Sequence, residues 1–170
     1  DIRRAEKIPA RIEQYTGSMA SGIACALYAE TVKSWGESAR NVYPPDYFVA
    51  LFRILGSRAE LWTVAYDQEP AAGIIVLYGK NILHYAFAFG KREYYQHNPH
   101  NLLLWQVCQA YAEKSTYLDL GASQNIAALE HFKKGFCPME KKLITHTVPL
   151  SWKGKMWLAS KNIRKRGKTS

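Results

Sequence analysis

Between residues 61 and 89 the chain carries three strand-like runs, Leu61 to Tyr66, Ala72 to Leu77 and Ile82 to Phe89. The connections, Asp67-Gln68-Glu69 and Tyr78-Gly79-Lys80-Asn81, are far too short for a crossover, which needs about a dozen residues. Neighbouring runs must therefore pair antiparallel, as a meander. Around this block the apolar pattern changes to helical spacing. Ser18 to Trp35 reads as a helix with Ile23, Ala26, Leu27 and Val32 near one side, ended by Gly36. A second helix starts after Pro44-Pro45, runs through Phe48, Leu51, Phe52 and Leu55, and stops at Gly56. Ahead of both, Ile8, Ile12 and Tyr15 mark a short lead-in strand or helix.

After the meander, Asn98-Pro99 opens a helix containing Leu102, Leu103, Trp105, Val107, Cys108 and Tyr111. Tyr117 to Leu120 reads as a short strand. Ser123 is placed to cap a further helix with Ile126, Leu129 and Phe132, and Lys142 to Val148 reads as a last strand. A meander followed by alternating helices and strands predicts an α+β fold, a mixed central sheet with helices on both faces.

The 170 residues suffice for one compact domain, expected over residues 1–150, with a basic tail at 151–170. That tail holds seven of the 23 basic residues and no acidic one, so the body carries 16 basic against 14 acidic side chains. The net charge of +9 thus belongs mainly to the tail. No apolar run approaches the roughly 20 residues that cross a bilayer, and no signal-peptide core is present. A chain that begins with Asp and no Met reads as a piece of something longer or a processed product. Cys25, Cys108 and Cys137 fit no zinc or redox spacing, which points to a reduced, cytoplasmic setting, with Cys25 and Cys108 as inert thiols in apolar helices.

The sharpest constellation is Tyr117-Leu-Asp-Leu-Gly121 followed by Leu129-Glu-His-Phe-Lys-Lys-Gly-Phe136. A carboxylate in a short apolar strand is costly to bury alone, so Asp119 should be paired or face a cleft. Its plain alternative is a structural anchor for backbone or cationic donors. Lys133 and Lys134 have a solvated helix face as theirs.

Five segments occur in one order: Leu27-Tyr-Ala-Glu-Thr31, Tyr43-Pro-Pro-Asp-Tyr-Phe48, Asn101-Leu-Leu-Leu-Trp105, Tyr117-Leu-Asp-Leu-Gly121 and Phe132-Lys-Lys-Gly-Phe136. Together they resemble the C-terminal GNAT-like acyltransferase module of the FemAB family, over roughly residues 20 to 148. That family includes peptidoglycan-bridge aminoacyltransferases and proteins linked to exopolysaccharide synthesis, and its fold sets two GNAT-like copies side by side. Only one copy is present here. The resemblance implies transfer of an aminoacyl or acyl group from a charged tRNA or acyl-coenzyme A, with no tightly bound cofactor, to an amine such as that of a peptidoglycan precursor. By the same resemblance Lys133 matches a lysine that steadies phosphate or developing negative charge, Asn101 the residue opening the long helix, and Asp119 the acid before the glycine. Two positions depart: Ala122 stands where many relatives carry Arg, and Phe136-Cys137 where they carry Trp-Gly.

The loop from Gly90 to Asn101 has one glycine at its start and none near the helix, a poor backbone cradle for a pyrophosphate. Lys91 and Arg92 can still meet phosphate by charge. His84 is a candidate catalytic residue beside Asp119 and Lys133. Tyr85, Tyr95, Asn101, Lys91, Arg92 and Lys134 are candidates for substrate binding. His84, His97 and His100 have no metal-ligand spacing, so no metal is assigned. The tail mixes Trp152, Met156, Trp157 and Leu158 with basic residues. A contact to tRNA, a contact to the inner membrane surface and a solvated terminus all remain open for it.

The mechanism expected is direct attack of a neutral amine on the activated carbonyl, since no Ser or Cys has the setting of a covalent nucleophile. A coenzyme A-dependent N-acyltransferase on a sugar or metabolite amine is one alternative. A non-catalytic GNAT-like binding module is the other. A dimer completing the cleft is a further expectation.

Overall fold

The computed structural model describes residues 2–36, 42–114, 117–123, 126–136, 138–141, 148, 151–153 and 156. The chain divides into two compact units, residues 1–138 and 139–170. In the first unit the elements are α1 (Ile2–Ala5), β1 (Arg11–Tyr15), α2 (Gly17–Trp35), α3 (Pro45–Leu55), β2 (Ala59–Tyr66), β3 (Glu69–Tyr78), β4 (Ile82–Gly90), α4 (Pro99–Tyr111), β5 (Tyr117–Asp119) and α5 (Ala127–Lys134). Short 3-10 turns at Gly56–Arg58 and Arg92–His97 lead into β2 and α4. Of the second unit, Trp152 and Met156 are exposed, and the Lys153 ammonium lies 5.9 Å from the Trp152 ring centroid. The expected strand at 142–148, apart from Val148, and most of the basic tail lie outside the described residues.

The strands form one five-stranded sheet in the order β1-β2-β3-β4-β5. The first four are antiparallel neighbours, and β5 joins β4 in parallel, so the sheet is mixed as expected. Asp67 and Gln68 make the β2–β3 turn, both with positive φ (49° and 69°), the geometry that two-residue hairpins prefer because it matches strand twist. Helices cover both faces. On one side Leu103 and Val107 of α4 pack on Val64, Ile74 and Val76. On the other, Leu27 of α2 and Phe48 and Phe52 of α3 pack on Leu61, Ile75 and Phe89.

Two local expectations are corrected. The inward stripe of α2 is Ala20, Ala24, Leu27, Tyr28 and Thr31, with Ile23 and Val32 partly buried against the same core as expected, while Ala26 faces out. Ser123 does not cap α5: the N-cap is Ile126, without a side-chain cap, and Ser123 acts through its carbonyl, which accepts the Ile126 N–H at 2.9 Å. Both helices preceding the meander end where expected, at Gly36 and Gly56. Among the described residues no helix is long and apolar enough to cross a membrane.

Candidate active site

The two neighbours of β4 let go of it at different points. Its pairing with β3 continues from Leu83 opposite Tyr78 to Gly90 opposite Ala72. Its pairing with β5 covers only Ile82 with Tyr117, Leu83 with Leu118 and His84 with Asp119. Past His84, β4 therefore has a strand on one side only among the described residues, and a fork opens between β4 and β5. Ala86 sits at this fork as an extra residue: Ile75 faces Phe87 while the next residue, Val76, faces Tyr85. Such a bulge changes which side chains point to which face. Leu83 and Tyr85 join the α4 side, whereas Phe87 and Phe89 join the α2–α3 side.

At the base of the fork His84 Nδ1 lies 3.1 Å from Asp119 Oδ2. The other carboxylate oxygen, Oδ1, accepts the Gly121 N–H at 2.8 Å. Gly121 has φ +67°, the left-handed region that closes this tight turn without a Cβ penalty. A Cβ there would lie 3.8 Å from His84 Cε1, so the imidazole rests against the glycine. The His84 and Asp119 side chains are 42% and 57% exposed, which leaves the pair open to an incoming molecule. The Gly121 N–H above all, and then His84 and Lys133, hold the Asp119 carboxyl below its ordinary range. A carboxylate on Nδ1 selects the Nδ1–H tautomer and leaves the Nε2 lone pair to take a proton.

Lys133 stands behind this turn. It is 7% exposed, and its Nζ donates to Gly121 O and Ala122 O, both at 3.0 Å. Burial pushes its ammonium pKa down, with Asp119 opposing.

A second feature lies where β4 ends. Thr31 of α2, itself buried, accepts the Gly90 N–H at 2.9 Å, and the Tyr95 hydroxyl donates to Gly90 O at 3.3 Å. An open groove of about 550 Å³ is lined by Glu30, Lys33, Ser34, Lys91, Arg92 and Glu93. Lys91 is paired with Glu69 at 2.7 Å, whereas Arg92 makes no ion pair among the described residues. The start of α4 offers little to an anion. Pro99 has no N–H, and the N–H groups of Asn101 and Leu102 both return to Asn98 O at 3.1 and 3.3 Å.

A family model described as "Acetyltransferase (GNAT) domain" matches residues 1–134. The chain belongs to this GNAT acetyltransferase family. No curated protein matches it in sequence. Solved structures are similar in fold at low identity. An aminoglycoside acetyltransferase from an uncultured soil metagenomic sample, in complex with sisomicin, is 10% identical, with 84% of this chain and 97% of that one covered and a TM-score of 0.64. A ribosomal-protein-alanine N-acetyltransferase from Brucella melitensis biovar Abortus 2308 is 10% identical over 84% of this chain and all of that one, TM-score 0.62. An aminoglycoside N-acetyltransferase in complex with coenzyme A is 10% identical over 82% and 95%, TM-score 0.60.

Within this GNAT domain the residues singled out from sequence fall into separate places. His84, Asp119 and Lys133 converge through Gly121. Lys91 and Arg92 share the groove beyond β4. Tyr85 packs under α5, its ring centroid 6.2 Å from that of Phe132, and burial drives its hydroxyl pKa up. Asn101 lies half-buried in the first turn of α4. Lys134 pairs with Glu130 one turn away, at 2.7 Å. Cys25 and Cys108 are half-buried, and desolvation raises both thiol pKa values, as befits unreactive side chains.

Thr31 and Gly121 stand in segments singled out from sequence, but neither had been given a role at the site. An acid two residues before a glycine is a recognisable turn signal, which points at Gly121, but one threonine among the apolar residues of a helix carries no signal of its own.

Gly90 is the position where a side chain cannot be added freely. A Cβ there would meet Tyr95 Cε1 at 2.8 Å and His100 Cε1 at 3.3 Å. Gly90→Ala is expected to cost about 1–2 kcal/mol in urea unfolding, by displacing the Tyr95 ring. The same change in a Tyr95→Ala background should cost less, as the shorter of the two contacts is gone and only that with His100 at 3.3 Å remains.

Proposed function

We propose that this chain is an N-acyltransferase that transfers an acyl group from a coenzyme A thioester to an amine, with His84 as general base and Asp119 holding its ring. The observation that carries this reading is the fork between β4 and β5, with an open His–Asp pair at its base. A thioester laid along that side of β4 has its carbonyl beside backbone N–H groups that no strand engages among the described residues, the kind of pre-aimed donors an oxyanion needs. The acceptor amine attacks the carbonyl carbon, the C–S bond breaks, and the ammonium proton passes to His84 Nε2. From there it returns to solvent or to the departing thiolate. Holding both substrates at the fork removes much of the entropic cost of their meeting.

A second reading has the FemAB-like chemistry that the motif order implies: a charged tRNA as donor, and an amine of a cell-envelope precursor as acceptor. The start of α4 favours it. A pyrophosphate would find there a proline and two N–H groups already turned back to Asn98 O.

A thermal-shift comparison separates the two. Acetyl-coenzyme A at about one hundred times its Kd should stabilise the chain by roughly 2.7 kcal/mol, and uncharged tRNA should add nothing. A preference for charged over uncharged tRNA, with no response to coenzyme A species, supports the second reading. Silence from all of them sinks both and leaves a binding module.

A further inference from the structure

Lys133 is an expensive residue where it stands. The residue is 7% exposed, yet no carboxylate lies within ion-pair distance among the described residues, and the partners of its ammonium are neutral carbonyls of adjacent residues. Burying a cation costs free energy unless hydrogen bonds offset it, so the two bonds to these carbonyls are what ties the ammonium to the turn. Here the two carbonyls belong to Gly121 and Ala122, and the N–H of Gly121 is the group that fixes Asp119 Oδ1. Asp119 Oδ2 in turn fixes His84 Nδ1. An unbroken line of hydrogen bonds thus runs from α5 to β4, each link between 2.8 and 3.1 Å.

We infer that Lys133 is a positioning residue for the proton-accepting imidazole, acting on His84 through the Gly121 turn and the Asp119 carboxylate without touching either substrate. This rests on the reading of His84 as the base. The inference differs from a lysine that steadies charge on a substrate, because two of the three ammonium donors are already committed to the carbonyls of the turn. Losing the clamp frees the 119–122 turn, lets Asp119 rotate away from Nδ1, and allows the neutral ring to relax toward the Nε2–H tautomer. A ring in that form presents no lone pair to the amine.

The test is Lys133→Met, with Lys133→Gln as the alternative should the first variant not fold, and it has two readouts. In side-chain 15N spectra of the folded protein, neutral His84 should show the Nδ1–H form in wild type and a shift toward Nε2–H in the variant. Lys133→Arg, which keeps donors for both carbonyls, should retain the wild-type form. An unchanged His84 spectrum in Lys133→Met overturns the inference.

The second readout is thiol release from acetyl-coenzyme A with glucosamine as acceptor. Lys133→Met should lower kcat about ten-fold with KM for both substrates little changed, and should cost less than about two-fold in an Asp119→Asn background. Equal losses in both backgrounds overturn the inference. If His84→Gln leaves turnover intact while Lys133→Met still moves the tautomer, the base assignment fails and the clamp stands.

Discussion

Replacing His84 by Gln is expected to lower kcat at neutral pH by about 100-fold or more, the usual contribution of a positioned general base. The substitution is surface-facing, since the His84 side chain is 42% exposed, so the melting temperature should change little. Donor affinity should also hold, because Nε2 serves the amine and not the thioester. The deficit should shrink at high pH, where hydroxide can take the proton that His84 otherwise removes from the attacking amine. A profile of kcat against pH for wild type and variant checks this. A constant ratio across the profile, or a loss confined to KM, would remove His84 from the proton path.

The largest effect on stability should come from Phe48→Ala, at about 3–5 kcal/mol. Phe48 is fully buried at the first turn of α3, and four aromatic rings lie within 5.5 Å of it: Tyr28 at 5.0 Å between centroids, Phe89 at 5.2 Å, Tyr47 at 5.3 Å and Phe87 at 5.5 Å. All four meet it edge-on, the arrangement that ring quadrupoles favour. These rings also pack on one another, which resists their moving into the space a benzyl group leaves, so a cavity cost adds to the transfer cost. Urea unfolding should show the loss, with Ile54→Ala as a control. Ile54 is 70% exposed on the same helix, and its truncation should stay within about 0.5 kcal/mol. The two effects are linked in space: Phe87 and Phe89 reach Phe48 only because the bulge at Ala86 turns that half of β4 toward α3. A Phe48→Ala chain that still folds should therefore also lose precision at the fork.

Several elements were legible from residue pattern because their causes are local. Two prolines at the start of α3 and a glycine after each of α2 and α3 act within a single turn of helix. The hairpin between β2 and β3 is as local, set by two residues that tolerate positive φ. Asp119 was legible for a related reason: a carboxylate in an apolar strand must find donors, and it found one two residues away. The outward position of Ala26 on α2 was not, because it is as apolar as Ala20 and Ala24, which are buried on the same helix. Lys133 and Lys134 are neighbours of identical chemistry. One is buried on two carbonyls and the other is paired at the surface, a difference made by which side of α5 faces the turn.

Order and type of the elements from α2 to α5, and with them the α+β arrangement, were thus settled by the chain's own residues, since periodicity, caps and turn chemistry act over a few positions. The fork, the change of face at Ala86, and the convergence of His84, Asp119 and Lys133 were settled only in three dimensions. Each depends on strand register and on where β5 stops pairing with β4. Those are properties of segments some 35 residues apart in sequence, and no local pattern in either segment encodes them.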